Sequence, residues 1–415
     1  MGRVLPRRAQ TTVEDALTDT RVVLINGARQ CGKSTLARVV AKDCTAEWRN
    51  MDRPVDRKAA DDDPTGFVDV GERMVIDEIQ RAPELFLAIK EVVDRDFQPG
   101  RFLLTGSARI LGLRGLPDTL PGRSETIELW PFSQGEIDDK PDGFIDAVFA
   151  KGASLRHNSD IKRADYAERL VRGGFPEAVG RANSSRRARF FDSYVSDLIL
   201  RDISQLAEIE RTAEMRSLLE VLAARSGQLL SISSLANKIQ VSANTVRRYL
   251  ALLEEVFLIK RIPAWSRNVS TRAVSTSKVA FVDSGIACNL ASADVRSLLR
   301  PGGMFGPLME GFVLMELARQ LSWSQERADL FHYRTRDQVE VDAVLASRRG
   351  EAVAIEVKAA STVRSEDFRG LKHLDDRLGD DLTVGIVFYT GEHTLSFGPK
   401  MRAMPISALW EVPPP

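Results

Sequence analysis

The chain has 415 residues with 58 lysines and arginines and 58 aspartates and glutamates, so its formal net charge is zero. That balance excludes a basic field over the whole molecule, and any nucleic-acid surface must be a local patch. The three cysteines and four histidines show no paired or metal-like spacing, which argues against a structural zinc and predicts a reducing, cytoplasmic setting. We expect no membrane association, because the chain has neither the apolar core of a signal peptide nor a run of ~20 apolar residues.

The first predicted strand and helix surround a glycine-rich octet. Residues 22–25 are a buried apolar run, residues 34–40 have helical periodicity, and the intervening G-x4-G-K-S motif is typical of a phosphate-binding loop. Lys33 would neutralise the outer phosphates and the Ser34 hydroxyl would bind Mg²⁺. Cys31 is interpreted as a small filler, with a redox-sensitive thiol as the alternative. The residues expected to bind ATP are Gly27, Ala28, Arg29, Gln30, Cys31, Gly32, Lys33, Ser34 and Thr35.

Two further strands are predicted to end in polar residues of a catalytic ATPase site. The apolar run 74–76 leads to Asp77 and Glu78. The first acid would hold Mg²⁺ and the second would polarise the attacking water, unless Glu78 only caps the next helix. The run 102–104 leads to Ser107, which would bond to the γ-phosphate or the attacking water, or belong to an ordinary turn.

An arginine is expected to complete charge stabilisation of the transferring phosphoryl group. Arg123 is the first candidate, acting in cis or from a neighbouring subunit of a homo-oligomer, and Arg201 is the second. The alternative for Arg123 is an ordinary surface salt bridge.

Several linked segments resemble a known family. In order, they are GARQCGKSTLA, VIDEIQRAPELFLAIKEVVD, RFLLTGSA, LPGRSETIELWPFSQGEI, VRGGFPEAV, YLALLEEVFLIKRIPAW, KVAFVDSGIACNL and VEVDAVL followed by AIEVK. They span residues from about 20 to 360 and resemble the prokaryotic AAA-type ATPases that carry a C-terminal DUF4143 region. The resemblance implies that Lys33, Asp77 and Glu78 have the ATPase roles argued above.

Residues 211–262 change to a helical pattern that fits a helix-turn-helix with a wing. Ser233 and Ser242 are expected to cap its two helices, and residues 257–263 to supply the wing strand. The second helix of such a module lies in the major groove of DNA, although the module can also pack against protein. The residues expected to contact DNA are Asn244, Arg247, Arg248, Lys260 and Arg261.

The C-terminal third carries acids and a lysine in an ordered spacing. An amphipathic helix is predicted at residues 307–319 and carries Glu310, and strict alternation places Asp342 and Glu340 on one face of a strand. An E-x-K strand follows, with Glu356 and Lys358 on one face, and the two strands form a plausible hairpin.

This order resembles the PD-(D/E)xK nuclease superfamily, in agreement with the DUF4143 resemblance. The resemblance implies that Asp342 and Glu356 bind one or two Mg²⁺ ions beside a phosphodiester, with Glu310 as an added ligand. Lys358 would orient or deprotonate the attacking water, or neutralise developing charge. The same fold also serves as a binding scaffold without cleavage.

The sequence therefore predicts an α/β protein. Its expected domains are an AAA-type P-loop NTPase domain with a helical extension at residues 1–205, a winged helix at 206–265 and a restriction-endonuclease-like α/β domain at 266–415. In one hypothesis ATP turnover gates a Mg²⁺-dependent nuclease. In the other, the chain is an ATP-driven switch that does not cleave. It binds nucleic acid, with DNA as the first expectation, or a regulatory protein partner as in a toxin–antitoxin-like pair.

Overall fold

The computed structural model describes residues 4–42, 45–71, 73–107, 120–203, 212–266 and 276–415. Cys44 and the side chain of Arg201 lie outside this description, and so does the role predicted for Arg201. The chain divides into two compact units, one of residues 1–131 with 255–257 and one of residues 132–254 with 258–415. The finer division at residues 205 and 265 stays a prediction.

Within the described residues, the first unit contains a five-stranded parallel sheet with the spatial order β2-β3-β4-β1-β5. Its strands are β1 (Val22–Asn26), β2 (Glu47–Asn50), β3 (Met74–Asp77), β4 (Phe102–Gly106) and β5 (Ser124–Glu128). Strands β1, β3 and β4 are buried along their whole length, as expected when helices cover both faces of a parallel sheet. The segments that follow these strands leave the sheet at the same edge.

Helices of the first unit bury one apolar side against this sheet. In the helix Leu85–Arg95, Leu85, Ile89 and Val92 recur every three to four residues and are buried in the core with Ile76 of β3. The other helices of this unit are Ala9–Asp19, Lys33–Val40, Pro54–Asp62 and Pro64–Val68, with a 3-10 turn at Ile79–Arg81.

The middle of the chain contains the helical segment that the sequence predicts, with helices Thr212–Ala223, Ile232–Ile239 and Ala243–Glu255. Ser242 caps the last of these, as predicted, and its Oγ accepts the N–H of Thr245 at 3.1 Å. The prediction of Ser233 as the preceding cap is wrong. The chain is still extended at Ser231, whose Oγ accepts the N–H of Ser234 at 3.3 Å, so the helix begins two residues earlier.

The strand expected after these helices is present. It is β6 (Ile259–Ile262), which pairs antiparallel with β7 (Lys278–Phe281). Lys278 lies at the start of β7, opposite Ile262.

In the described part of the second unit, a six-stranded mixed sheet has the order β12-β13-β11-β10-β9-β8. Strands β9 and β10 form the predicted antiparallel hairpin, and β10 and β11 are parallel. Leu371 and Leu374 of the helix Arg369–Leu378 belong to the core that covers this sheet. The strands are β8 (Ala328–Arg334), β9 (Glu340–Ser347), β10 (Ala352–Lys358), β11 (Leu382–Tyr389), β12 (Leu395–Ser396) and β13 (Met401–Pro405).

The helix Phe305–Gln320 carries Glu310 but is not amphipathic as predicted. Every residue from 312 to 320 is buried, because the helix contacts β7, β10 and the helix Arg163–Arg172 on different sides. The remaining α-helices are Gln134–Asp138, Phe144–Lys151, Pro176–Val179, Ser184–Asp197, Ser284–Leu290, Val295–Leu298 and Ala408–Glu411. None of the helices in the described ranges is both long enough and apolar enough to cross a membrane.

Candidate functional site

The glycine-rich loop connects β1 to the helix Lys33–Val40, at the carboxyl edge of the parallel sheet. Its first glycine packs against neighbouring backbone, since a Cβ on Gly27 would lie 2.0 Å from the carbonyl oxygen of Leu129. Gly32 has a φ of 104°, which side chains disfavour. The buried Cys31 donates from Sγ to the same Leu129 oxygen at 3.3 Å, which agrees with its interpretation as a filler.

Lys33 and Ser34 begin the helix, and Ser34 contacts Asp77, the last residue of β3. The Lys33 ammonium donates to the carbonyl oxygens of Gly27 and Ala28 at 3.1 and 2.8 Å, so it lies over the loop. The Ser34 Oγ donates to Asp77 Oδ1 at 2.7 Å. Hydroxyl and carboxylate oxygens are hard ligands, and this adjacent pair fits the Mg²⁺ ion expected at the loop.

Glu78 has the backbone strain found at many functional sites. Its φ of 57° and ψ of 45° lie in the left-handed region, which costs a non-glycine residue about 1–3 kcal/mol. Its N–H donates to Thr105 Oγ1 at 3.1 Å, which holds the turn in place. The side chain makes no capping bond to the following 3-10 turn, so the alternative of a simple cap is not supported.

Gln80 joins the two residues that the sequence assigns to the attacking water. Its Nε2 donates to Glu78 Oε2 and, at 2.8 Å, to Ser107 Oγ. Thr105 in turn donates to Asp77 through its hydroxyl. Sequence reasoning missed both Gln80 and Thr105, although Thr105 has a detectable signal as a polar residue that ends an apolar strand.

Arg123 lies at the other edge of the sheet from the glycine-rich loop. It precedes β5, whose first residue Ser124 pairs with Val22, the first residue of β1, whereas the loop follows the last residue of β1. Its guanidinium pairs with Asp94, with an Nη2–Oδ2 distance of 3.0 Å. This is the surface salt bridge that was the alternative interpretation of Arg123. The structure does not support a role for Arg123 at the phosphates bound by its own chain. A role in trans stays a prediction.

A second group of ionisable residues gathers in the other unit. Glu310, Asp342, Glu356 and Lys358 were predicted to meet, and Glu310 and Asp342 do meet at one atom, the Nζ of Lys278. Glu356 joins them through β10, where the N–H of the next residue donates to Asp342 Oδ2 at 2.9 Å. Lys358 pairs with Glu356 at 2.9 Å.

Lys278 is the centre of this group, which we call the carboxylate cluster. Its ammonium lies 2.6 Å from Glu310 Oε1, 2.8 Å from Asp342 Oδ1 and 2.9 Å from Glu340 Oε1, and the residue is 1% exposed. Burial alone would lower the pKa of Lys278, but the three carboxylates, Asp342 foremost, outweigh burial and raise the pKa above its ordinary value. Lys278 is therefore a charged, buried ammonium, and sequence reasoning missed it.

Two acids of the carboxylate cluster, Glu310 and Glu356, have a raised pKa. Burial raises the pKa of Glu310 well above its ordinary range, with a further contribution from Asp342. Burial also raises the pKa of Glu356 to about 7, again helped by Asp342 and opposed by Lys358. Glu356 Oε2 is buried and has no hydrogen-bond partner among the described residues.

The carboxylate cluster does not fit the divalent ion expected there. Glu310, Glu340 and Asp342 each direct an oxygen at the Lys278 ammonium, and no group of acids or histidines in the described ranges has the arrangement of a metal site. The small pocket beside the cluster, of about 180 Å³, is lined by further acids including Glu366. The metal-ligand roles of Asp342 and Glu356 therefore stay predictions that this geometry does not favour.

Two of the five residues predicted to contact DNA are joined on the helix Ala243–Glu255. Asn244 and Arg247 are exposed, and Arg247 Nη1 donates to Asn244 Oδ1 at 2.9 Å. Arg248 is exposed on the same helix, and Lys260 is half-buried on β6. The guanidinium of Arg261, on β6, pairs with Glu254 at 2.5 Å.

Arg247 also lines a groove of about 1430 Å³ in the second unit, which we call the basic groove. Arg334, Arg336 and Arg377 line it as well, and among its described lining residues the only acid is Asp337. Two aromatic side chains also line it: the ring of the half-buried Trp265 packs edge to face against the buried ring of Tyr333, with centroids 6.2 Å apart.

The first unit is a P-loop NTPase fold, since a parallel sheet places the G-x4-G-K-S loop after β1 beside Asp77, the acid that ends β3 two strands away. A family model described as an AAA domain matches residues 19–138, and models for domains of unknown function, DUF8612 and DUF4143, match residues 163–297 and 305–409. A Mycobacterium tuberculosis protein is 31% identical over 405 residues, covering 96% of this chain and 83% of that protein, and a Mycobacterium bovis protein matches equally. The chain belongs to the family of AAA-type ATPases with a C-terminal DUF4143 region, which confirms the resemblance read from the sequence.

Solved structures give more distant matches. A Walker-type ATPase of Pyrococcus abyssi is 14% identical with a TM-score of 0.43, covering 69% of this chain and 96% of that one. The RuvB Holliday junction branch migration motor of Thermotoga maritima is 21% identical with a TM-score of 0.30, covering 62% of this chain and 88% of that one.

Proposed function

We propose that the first unit binds ATP with Mg²⁺ and hydrolyses it. The observation that carries this proposal is the meeting of Lys33, Ser34, Asp77 and Glu78 at one edge of the parallel sheet. Lys33 neutralises the outer phosphates, and Ser34 and Asp77 would hold the Mg²⁺ ion, which would supply positive charge beside the phosphoryl group. Glu78 polarises the attacking water, and its bond to Gln80 fixes the carboxylate.

Steady-state ATP hydrolysis and equilibrium nucleotide binding test this proposal with two variants. Lys33→Ala is expected to lose both ATP binding and turnover, because the buried ammonium over the loop is gone. Glu78→Gln keeps the size and the hydrogen bonds but removes the base, so it is expected to bind ATP normally and stop hydrolysis. Normal turnover by Glu78→Gln would show that another residue acts on the water.

We further propose that the second unit binds nucleic acid in the basic groove and that the nucleotide state controls this binding. Four arginines against one acid provide phosphate contacts, and the half-buried Trp265 offers an aromatic surface on which a base stacks. The helices on either side of Ser242 followed by β6 support the interpretation of this segment as a winged helix, with Arg247 on its second helix.

The groove can be tested by the salt dependence of DNA affinity. A double charge reversal, Arg247→Glu with Arg336→Glu, is expected to weaken binding at least ~10-fold and to flatten the dependence of affinity on salt. Arg296→Glu with Arg300→Glu, at two exposed positions that do not line the groove, makes the same change in net charge, so it is the matched control and should bind as the wild type does. Equal binding by all three proteins would contradict a role for the groove.

Mg²⁺-dependent cleavage of nucleic acid, the other function predicted from the sequence, is the alternative to binding without cleavage, although the geometry of the carboxylate cluster does not favour it. The β9–β10 hairpin that carries Asp342, Glu356 and Lys358 favours a nuclease-like fold for the DUF4143 region. Incubation of wild type and Lys358→Ala with single- and double-stranded DNA and RNA in Mg²⁺ or Mn²⁺ separates the two. Cleavage that the variant loses supports a nuclease, whereas intact substrate with DNA-stimulated ATP hydrolysis supports a binding scaffold.

A further inference from the structure

We infer that Lys278 is a built-in cation of the carboxylate cluster, which takes the position of a divalent metal and keeps the second unit free of metal in its ordinary state. The inference is independent of ATP hydrolysis in the first unit. The cation held by the carboxylate cluster is then the ammonium group of a lysine from the same chain.

The geometry around Lys278 is that of an ammonium and not of a small metal ion. An ammonium has three N–H donors, and three carboxylates each present one oxygen to it at 2.6, 2.8 and 2.9 Å. These distances match charge-assisted N–H···O bonds, whereas Mg²⁺ requires oxygens at about 2.0–2.1 Å in a near-octahedral shell.

The oxygen atoms left over do not form a second cation site. Asp342 Oδ2 accepts the N–H of Val357 at 2.9 Å, and Glu356 Oε1 accepts from Lys358 at 2.9 Å. Asp342 therefore uses both oxygens within the protein. Asp342 and Glu356, the two ligands predicted for the metal, pair with different lysines, Lys278 and Lys358, and share no cation among the described contacts.

Lys278 is also fixed by its backbone. It pairs with Ile262 in the β6–β7 sheet and forms an isolated bridge with Leu229, while Leu230 donates to the oxygen of Ser277 at 3.0 Å. The ammonium is thus delivered by a strand held from two sides. Removal of its charge, with the strand left in place, should leave three carboxylate oxygens facing one another, and a divalent ion can then bind them.

The test is Mn²⁺ binding by the full chain without nucleotide. Binding is measured by calorimetry and by the shift of the thermal unfolding temperature. The wild type and Asp342→Asn are expected to give the same Mn²⁺ isotherm, because the cluster contributes no metal site. Lys278→Met is expected to gain one Mn²⁺ site per chain that disappears when Asp342→Asn is added. Its unfolding temperature should rise with Mn²⁺, while that of the wild type and of Lys278→Arg should not respond.

Two outcomes would overturn the inference. One is Mn²⁺ binding by the wild type that Asp342→Asn abolishes, since the cluster would then hold metal in the presence of Lys278. The other is a folded Lys278→Met protein that gains no Mn²⁺ site. The comparison of wild type with Asp342→Asn decides the question even when Lys278→Met does not fold, and neither result bears on ATP hydrolysis.

Discussion

Replacement of Lys278 by methionine should cost far more stability than the same replacement of Lys358. Both lysines belong to the carboxylate cluster, and methionine retains most of the apolar stem in each case. Lys278 has a side chain that is 1% exposed and bonds to three carboxylates, whereas the side chain of Lys358 is 34% exposed and pairs with one. The pair of variants therefore isolates the effect of burial and of the number of partners.

The expected magnitudes follow from what each substitution leaves behind. Loss of one partner of a buried ion pair costs about 3–5 kcal/mol, because the remaining charge is buried without compensation. We expect Lys278→Met to fall in or above this range, and Lys358→Met to cost about 1 kcal/mol or less, as a partly exposed pair does. Addition of Glu310→Gln and Asp342→Asn to Lys278→Met should recover part of the loss, since the buried charges are then removed together.

Urea denaturation followed by circular dichroism measures these differences in the free energy of unfolding. The slope of the free energy with urea should stay the same, so that the change appears in the midpoint. Equal losses for Lys278→Met and Lys358→Met, or no recovery in the triple variant, would refute the reasoning that buried, uncompensated carboxylates dominate the cost.

Three further predictions concern single residues. Gln80→Leu should bind ATP as the wild type does but turn it over ~10- to 100-fold more slowly, because Glu78 and Ser107 lose their shared donor; unchanged turnover would remove Gln80 from the site. Gly27→Ala should weaken ATP binding at least ~10-fold in calorimetry, since its Cβ would meet backbone and the loop must shift. As pH rises from 5 to 8, the wild type should lose at most about 3 kcal/mol of stability through Glu356. Glu356→Gln should not show this loss. The sign follows from a folded-state pKa of about 7, raised above the ordinary value, because the favoured protonated form is lost as pH increases. Parallel stability–pH curves for the two proteins would contradict this assignment.

The sequence predicted those parts of the site that depend on local pattern. The phosphate loop could be read from its glycine spacing, and Asp77 and Glu78 from an apolar run that ends in two acids. The β9–β10 hairpin followed from alternation within each strand, since a period of two places Glu356 and Lys358 on one face.

Residues brought in by tertiary structure left weaker signals. Lys278 is 64 positions from Asp342 in the sequence. It begins a short strand whose other residues are apolar, so the sequence gives no sign of a site there. Gln80 contacts Glu78 at a turn where Glu78 is in the left-handed region, which no propensity predicts for glutamate. Arg123 was a reasonable candidate by sequence, but the strand register places it beside Val22 at the edge away from the loop.

The most direct test of the account is calorimetric titration of the full chain with a non-hydrolysable ATP analogue and Mg²⁺, for wild type and Lys33→Ala. We expect one binding site per chain in the wild type and none in Lys33→Ala. No heat of binding in the wild type, or the same isotherm for the variant, would contradict the claim that residues 27–34 hold the nucleotide.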